Sequence, residues 1–419
     1  MRQIVESMIK PLALIVAMFT GSVIAQPIHV DFYYGLGGTL GAFVEELVSE
    51  YNASQSDVVV RASFQGTYDE TANRVMADLA AGTAPNLAMV SLANIPQFTQ
   101  REGLIVDLRD YTSDPEFDAP DMVSALVEAG TFDGRVYAMP FNVSTQLFFW
   151  NKDLFRAAGL DPERPPENWD ELREFARAID EIDPNAWGFA AFGAPFEHWL
   201  LEYFFWANDA SILDESATGP AFDSPEAIEA LEFIDTLVNQ DTSTIFLPYG
   251  ETVELFTSGR AGMAIASTGA LGGIRANAGF EFGGGHLPEG PARKVTSLGG
   301  GFLMMLASDD EVEAATWDFV RFLVNTENTV RMNTRTGYMP VRISARESAE
   351  LQAFWEEVPQ AQAAVTQLPY ARARLTHARL KEVHDILARV MSNAITENVQ
   401  SPADALRQGA AEARRALAF

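Results

Sequence analysis

The chain has 419 residues, 47% of them hydrophobic, enough to bury a large core and more than one compact unit usually holds. Its formal charge of −29 opposes binding to nucleic acid or to anionic membrane surfaces. It contains no cysteine, which excludes disulfides, thiolate metal sites, iron–sulfur clusters, cysteine nucleophiles and a cysteine-linked lipid anchor.

Arg2 and Lys10 bracket a short charged region, an apolar stretch covers residues 11–19, and Val23-Ile24-Ala25 ends it with small residues. Such a segment reads as a secretory signal peptide over residues 1–25, cut before Gln26. Its apolar run falls short of the roughly 20 residues a membrane span requires. No later segment reaches spanning length without charges, so export without membrane insertion is expected.

Residues 28–34 alternate and are rich in β-formers, which predicts a strand. The turn Gly35 to Gly41 follows it, and Phe43, Val44, Leu47, Val48 and Tyr51 then recur at helical spacing. A second strand is predicted over 58–64, an amphipathic helix over 68–79 and a buried third strand over 86–91. This β-α-β-α-β rhythm means a mainly parallel sheet with helices on its faces. Strands are expected next over 134–140, leading out of this first lobe, and over 147–151, with a helix over 152–158 stopped by Gly159. Residues up to about 255 read as helical and aromatic-rich, and strands return over 262–267 and 296–307. The tail from 310 reads as helical, broken by a loop at Thr336-Gly337-Tyr338-Met339-Pro340.

The Gly35–Gly41 turn follows a strand and opens a helix, as a dinucleotide loop does, but Leu40 stands where the third glycine belongs. A ligand-approach turn at the carboxyl end of a strand is the better reading. No glycine-rich stretch ends in Gly-Lys-Ser or Gly-Lys-Thr, and no Gly-x-Ser-x-Gly elbow exists. His377 and His384 are spaced to share a helix face and His198 stands alone, but no motif places a third ligand, so no metal and no cofactor are expected. The aromatic residues from Phe189 to Trp206 read mostly as core, leaving one or two to line a cleft and stack on a sugar or a glycerol backbone. Ser267-Thr268-Gly269, Gly299-Gly300-Gly301 and Thr336-Gly337-Tyr338 lie at strand ends or loops, where hydroxyls and backbone N–H groups can hold an anion without strong global positive charge.

Several longer strings carry a resemblance. They are Gly66-Thr67-Tyr68, Gly82-Thr83-Ala84-Pro85, Pro140-Phe141-Asn142-Val143-Ser144-Thr145 and Phe149-Trp150-Asn151-Lys152-Asp153. Ala157-Ala158-Gly159-Leu160-Asp161-Pro162, Phe256-Thr257-Ser258-Gly259-Arg260-Ala261-Gly262-Met263-Ala264, Ser267-Thr268-Gly269 and Thr336-Gly337-Tyr338-Met339-Pro340 follow in order. In this order they resemble the family 1 extracellular solute-binding proteins of ABC importers, and within them the glycerol-3-phosphate-binding periplasmic type.

The resemblance implies an α/β fold of the periplasmic binding protein kind: a two-lobed clamshell with its ligand cleft between lobes joined by hinge segments. It divides the chain into an N-terminal lobe, 26–139 with 268–325, and a C-terminal lobe, 140–267 with 326–419, with crossings near Pro140, Ser267 and Asn325. It implies a small-molecule solute, membrane permease subunits as partners, a periplasmic location and a monomer that must diffuse and dock.

By motif, Tyr68 and Ser144, with Thr145 beside it, donate to the ligand. Ser267, Gly269, the amide near Gly300, Tyr338 and an arginine hold a phosphate. That arginine is taken as Arg374, with Arg372 as the alternative, because a planar fork suits phosphate. Phe196 and Trp199 are the two candidates for the family's cleft tryptophan. Leu92 stands where glycerol-type members carry an acidic residue, which points toward a phosphodiester or otherwise altered headgroup. A neutral sugar or oligosaccharide ligand stays open, as does an exported phosphodiester hydrolase.

Overall fold

The computed structural model describes residues 26–35, 37–193, 198–375, 377 and 379–418; the expected signal peptide over 1–25 lies outside them. The alternating segment forms strand β1 (Ile28–Tyr34), followed by helix α1 (Gly38–Ser54), strand β2 (Val58–Phe64), helix α2 (Tyr68–Ala81) and strand β3 (Leu87–Ser91). β1 runs parallel to both β2 and β3, and α1 buries Phe43, Val44, Leu47, Val48 and Tyr51, the residues set by the helical period. α2 opens on a capping box: the Glu70 amide donates to the Thr67 hydroxyl at 3.2 Å and the Thr67 amide to the Glu70 carboxylate at 2.7 Å. That box fixes where Tyr68, the first helical residue, stands.

Strand β4 (Met139–Asn151) joins the end of the strand expected over 134–140 to the one expected over 147–151, while Arg135–Val136 pairs with Thr131–Phe132 in a separate hairpin. All 13 of its residues are buried. The polar run Asn142, Ser144, Thr145 and Gln146 reads as a break in sequence, yet it continues the strand because the sheet and its neighbours supply hydrogen bonds. The Gln146 side-chain amide donates to the Trp199 carbonyl at 2.7 Å, and Gln367 donates to the Gln146 carbonyl at 2.6 Å.

β4 belongs to two sheet regions in turn. Its first half, Met139 to Thr145, runs antiparallel to β9 (Thr296–Met305), and its second half, Gln146 to Trp150, runs antiparallel to β7 (Ala261–Ser267). With β5 (Trp187–Phe192) and β6 (Thr244–Leu247), the order is β2-β1-β3-β9-β4-β7-β5-β6. β8 (Phe282–Gly285) pairs with the end of β4, and β10 (Ala371–Arg372) with the start of β9. Helix α3 (His198–Ala207) precedes β6 in the chain and packs beside β9.

Separate cores follow this division. One gathers β1 to β3, α1, the first half of β4, the body of β9 and helix α5 (Asp310–Leu323), the next labelled helix after α4 (Leu271–Asn277). The others lie around the second sheet region. One includes α3 and the helices α7 (Leu380–Met391) and α8 (Pro402–Leu417), and the other includes α4 and residues 345–363.

The cores correct one expected boundary. Residues 268–295 do not join the N-terminal lobe: Leu271 and Ile274 pack in the third core, β8 pairs with Phe148 to Asn151, and Leu287 and Val295 pack in the second core. The chain returns to the first lobe only along β9. Near the third crossing, helix α6 (Thr326–Thr336) straddles both units, with Met332 in the first core and Val330 in the third. Among the described residues, no helix is long and apolar enough to cross a membrane.

Candidate functional site

The point where β4 changes partners, between Thr145 and Gln146, gathers the polar groups that the sequence singles out. From the first lobe comes Tyr68, whose hydroxyl accepts from the Asn142 side-chain amide at 2.6 Å. Tyr338, brought in by the left-handed turn at Gly337 that ends α6, hydrogen-bonds the same Tyr68 hydroxyl. Burial pushes both phenols above their ordinary range, so each stays protonated and able to donate. The Tyr338 ring lies against Gly269, where a Cβ would sit 2.3 Å from the ring; only glycine permits that approach.

Ser267 ends β7, and its hydroxyl accepts from the Gly269 amide at 3.1 Å, while its own amide donates to the Tyr249 hydroxyl at 3.2 Å. On β9, Gly300 has φ +88°, and a Cβ there would sit 2.1 Å from the Asn142 carbonyl oxygen. Gly299 lies under the Trp199 ring, whose Cζ2 would stand 2.7 Å from an added Cβ, with the Ser144 hydroxyl 3.1 Å away. The Trp199 indole donates to the Ser297 carbonyl at 3.3 Å, so its ring is fixed from both the indole and the backbone side.

Tyr68, Ser144, Trp199, Ser267, Gly269, Gly300 and Tyr338 therefore meet around one strand crossing. Three other expected residues stand differently. Thr145 projects to the face of β4 opposite Ser144 and is buried, and its hydroxyl oxygen accepts from Gln367 at 2.6 Å. Phe196 lies outside the described residues, which leaves Trp199 as the described ring at the crossing. Arg374 is drawn behind the Trp199 helix: its Nε donates to Glu202 at 2.8 Å and its Nη1 lies 2.9 Å from His198 Nε2. Only part of the expected planar fork remains for a phosphate. Arg372 is exposed and sits over the Trp206 ring at 5.8 Å, near the end of α3.

Leu92, at the position of the acidic residue expected from the resemblance, is buried in the first core. His377 precedes α7 rather than sharing it with His384, and its Nδ1 accepts from the Arg379 amide at 3.0 Å. His384 instead stacks on His198, ring centroids 3.8 Å apart. Among the described residues, no group of three or more His, Asp or Glu side chains is placed to hold a metal ion.

Asn142 and Glu202 were given no role from the sequence, and Thr268 only a place in the Ser267-Thr268-Gly269 cluster. Asn142 Oδ1 and Thr268 Oγ1 are buried without a hydrogen-bond partner among the described residues, next to the Tyr68–Tyr338 pair and the Ser267 turn. The signal was present: an Asn amid β-formers on a strand buried on both faces is costly unless something satisfies it. Glu202 was hidden inside an aromatic helix, where a single carboxylate reads as solvated.

The same fold recurs in known proteins. The chain is 28% identical over 370 residues, 84% of this chain and of that one, to the sn-glycerol-3-phosphate-binding periplasmic protein UgpB of Brucella abortus. The crystal structure of UgpB from Mycobacterium tuberculosis in complex with glycerophosphocholine superposes with a TM-score of 0.84 at 26% identity, covering 93% of this chain and 98% of that one. The cyclic α-maltosyl-1,6-maltose-binding protein of Arthrobacter globiformis follows at 0.79 and 26% identity, covering 93% and 99%. Residues 46–361 match the family described as bacterial extracellular solute-binding protein. With two lobes joined at the crossing of β4 and a cluster of donors at that crossing, the chain belongs to the bacterial extracellular solute-binding proteins.

Proposed function

We propose that this protein is the solute-binding component of an ABC importer. In this reading it works as an exported, periplasmic monomer and closes its lobes on glycerol-3-phosphate or a related glycerophosphodiester. The observation that carries the reading is the meeting of uncharged donors from both lobes at one strand crossing. Tyr68 and Ser144 bond the glycerol side. Ser267 with the Gly269 turn, the amide at Gly300, Tyr338 and the remaining edge of Arg374 bond the phosphate. Donors drawn from both lobes give the closed state its differential affinity, which is what a ligand needs to shift the population.

The likeness to relatives named for sn-glycerol-3-phosphate and glycerophosphocholine supports this ligand class. The buried Leu92, in place of a hydroxyl acceptor, favours the diester within it. A neutral oligosaccharide is the second reading, favoured by the Trp199 ring over Gly299 and by the maltosyl-maltose binder at the same identity. Hydrolysis is not part of the proposal, since these relatives are named as binding proteins; a chromogenic phosphodiester incubated with the protein is expected to stay intact.

Calorimetric titration tests the site. Ser267→Ala and Tyr338→Phe are each expected to weaken binding of a glycerophosphate ligand about tenfold, the loss of one good hydrogen bond, and to lower the melting temperature modestly because each hydroxyl also bonds within the fold. Unchanged affinity in both variants would remove the phosphate site as drawn.

A further inference from the structure

Glu202 stands one helical turn beyond Trp199 on α3 and is 3% exposed. Its carboxylate accepts from Arg374 Nε at 2.8 Å and from the Ser297 hydroxyl at 3.0 Å. Ser297 lies two residues before Gly299 on β9, and its carbonyl receives the Trp199 indole. The carboxylate is thus set in the wall behind the Trp199–Gly299 contact, held by the same strand that carries the Gly300 amide. A guanidinium or a carboxylate buried alone is strongly disfavoured, and the pair cancels both costs. It also cancels the charge. The His198 ring beside Arg374 Nη1 is kept neutral by burial and by the neighbouring His384, Arg374 and Lys381, and Lys381 is itself paired with Asp385 at 3.0 Å.

Cancellation matters for the chemistry of the ligand. A phosphate monoester near neutral pH carries close to two negative charges, and a phosphodiester carries one. Each unit of ligand charge feels the Arg374 attraction and the Glu202 repulsion together, so the carboxylate's repulsion counts twice for a dianion. We propose that Glu202 is a specificity-determining residue that, by neutralising Arg374 from behind, biases the cleft toward monoanionic phosphodiesters over dianionic phosphate monoesters. This rests on the glycerophosphate reading above and adds the charge class of the ligand and the residue that sets it.

The test is a pair of titrations on the wild-type protein and on Glu202→Gln, with glycerophosphocholine and glycerol-3-phosphate at pH 7.5 and low salt. The amide oxygen can still accept from Arg374 and Ser297, while the charge is removed and the other oxygen becomes an N–H donor. The wild type is expected to bind the diester more tightly, and Glu202→Gln is expected to raise the monoester-to-diester affinity ratio by about tenfold, an effect that salt diminishes. A merely structural role would weaken both ligands alike, and a ratio unchanged in the variant, with both ligands bound, overturns this inference while leaving the glycerophosphate reading intact. Binding of neither ligand by the wild type overturns both.

A second measurement needs no variant. Lowering the pH from 7.5 to 5 makes the monoester monoanionic, so its wild-type affinity should rise toward that of the diester, whose own affinity serves as the control. A monoester that binds no better at pH 5 relative to the diester would also overturn the inference.

Discussion

Gly300 shows how much a single residue can fix at this crossing. Its φ of +88° and the 2.1 Å approach of the Asn142 carbonyl leave no room for a side chain, while Gly299 beside it accepts the Trp199 ring. Gly300→Ala is therefore expected to lower unfolding free energy by about 2–4 kcal/mol, since strain and overlap with backbone act together. Chemical denaturation measures it, and a loss below half a kilocalorie would mean that the turn relaxes freely. The triple glycine is conspicuous in sequence. Which of its members needs a positive φ and which meets a ring was not, because both depend on strands that are distant in the chain. Ser267 and Tyr338 were legible for the opposite reason: each is a polar residue at the end of an element and within a longer motif. Glu202 was illegible because nothing local marks a carboxylate whose partners, Arg374 and Ser297, lie 172 and 95 residues away.

Among the elements, the β-α-β-α-β start was readable because period and caps agree: the α1 face and the Thr67–Glu70 box are local signals. β4 was read as two strands because hydropathy cannot distinguish a polar break from a strand that exchanges one sheet for another. The lobe boundary at 268 failed similarly, since the backbone of α4 and β8 carries no mark of which core its side chains join.

The packing of α3 against α7 has a pH signature. Burial lowers His384 to about 3, with Arg374 and Lys381 adding to the effect, and lowers the stacked His198 well below its usual range. In an unfolded chain these rings titrate near 6.5, so between about 6.5 and 3 the unfolded state binds more protons. Their contribution is full above about pH 6.5 and is lost as the pH falls toward 3. Glu202, pushed up by burial, acts in the opposite sense. The melting temperature is expected to fall between pH 6.5 and 4.5, a window above most carboxylate titrations, and His384→Phe should flatten that fall. A fall of equal steepness in the variant would assign it to other groups.

At the scale of the molecule, two lobes share one sheet system through β4 and β9, and α6 rests against both units. Such a join brings Tyr68 and Tyr338, both packed with the first core, together with Ser267 at the end of β7. The strong negative charge of the chain offers an anion no long-range attraction, so the glycerophosphate ligand proposed above would have to be selected by short, directed hydrogen bonds.

Thermal-shift measurement of the wild-type protein against glycerol-3-phosphate, glycerophosphocholine and neutral malto-oligosaccharides tests the ligand class most directly. A ligand that binds only the folded state raises the unfolding temperature by mass action. Stabilisation is expected from the phosphorylated glycerols, greatest for the diester, and none from the sugars. Stabilisation by the sugars alone would keep the two-lobed clamp and contradict the phosphate roles of Ser267, Tyr338 and Arg374.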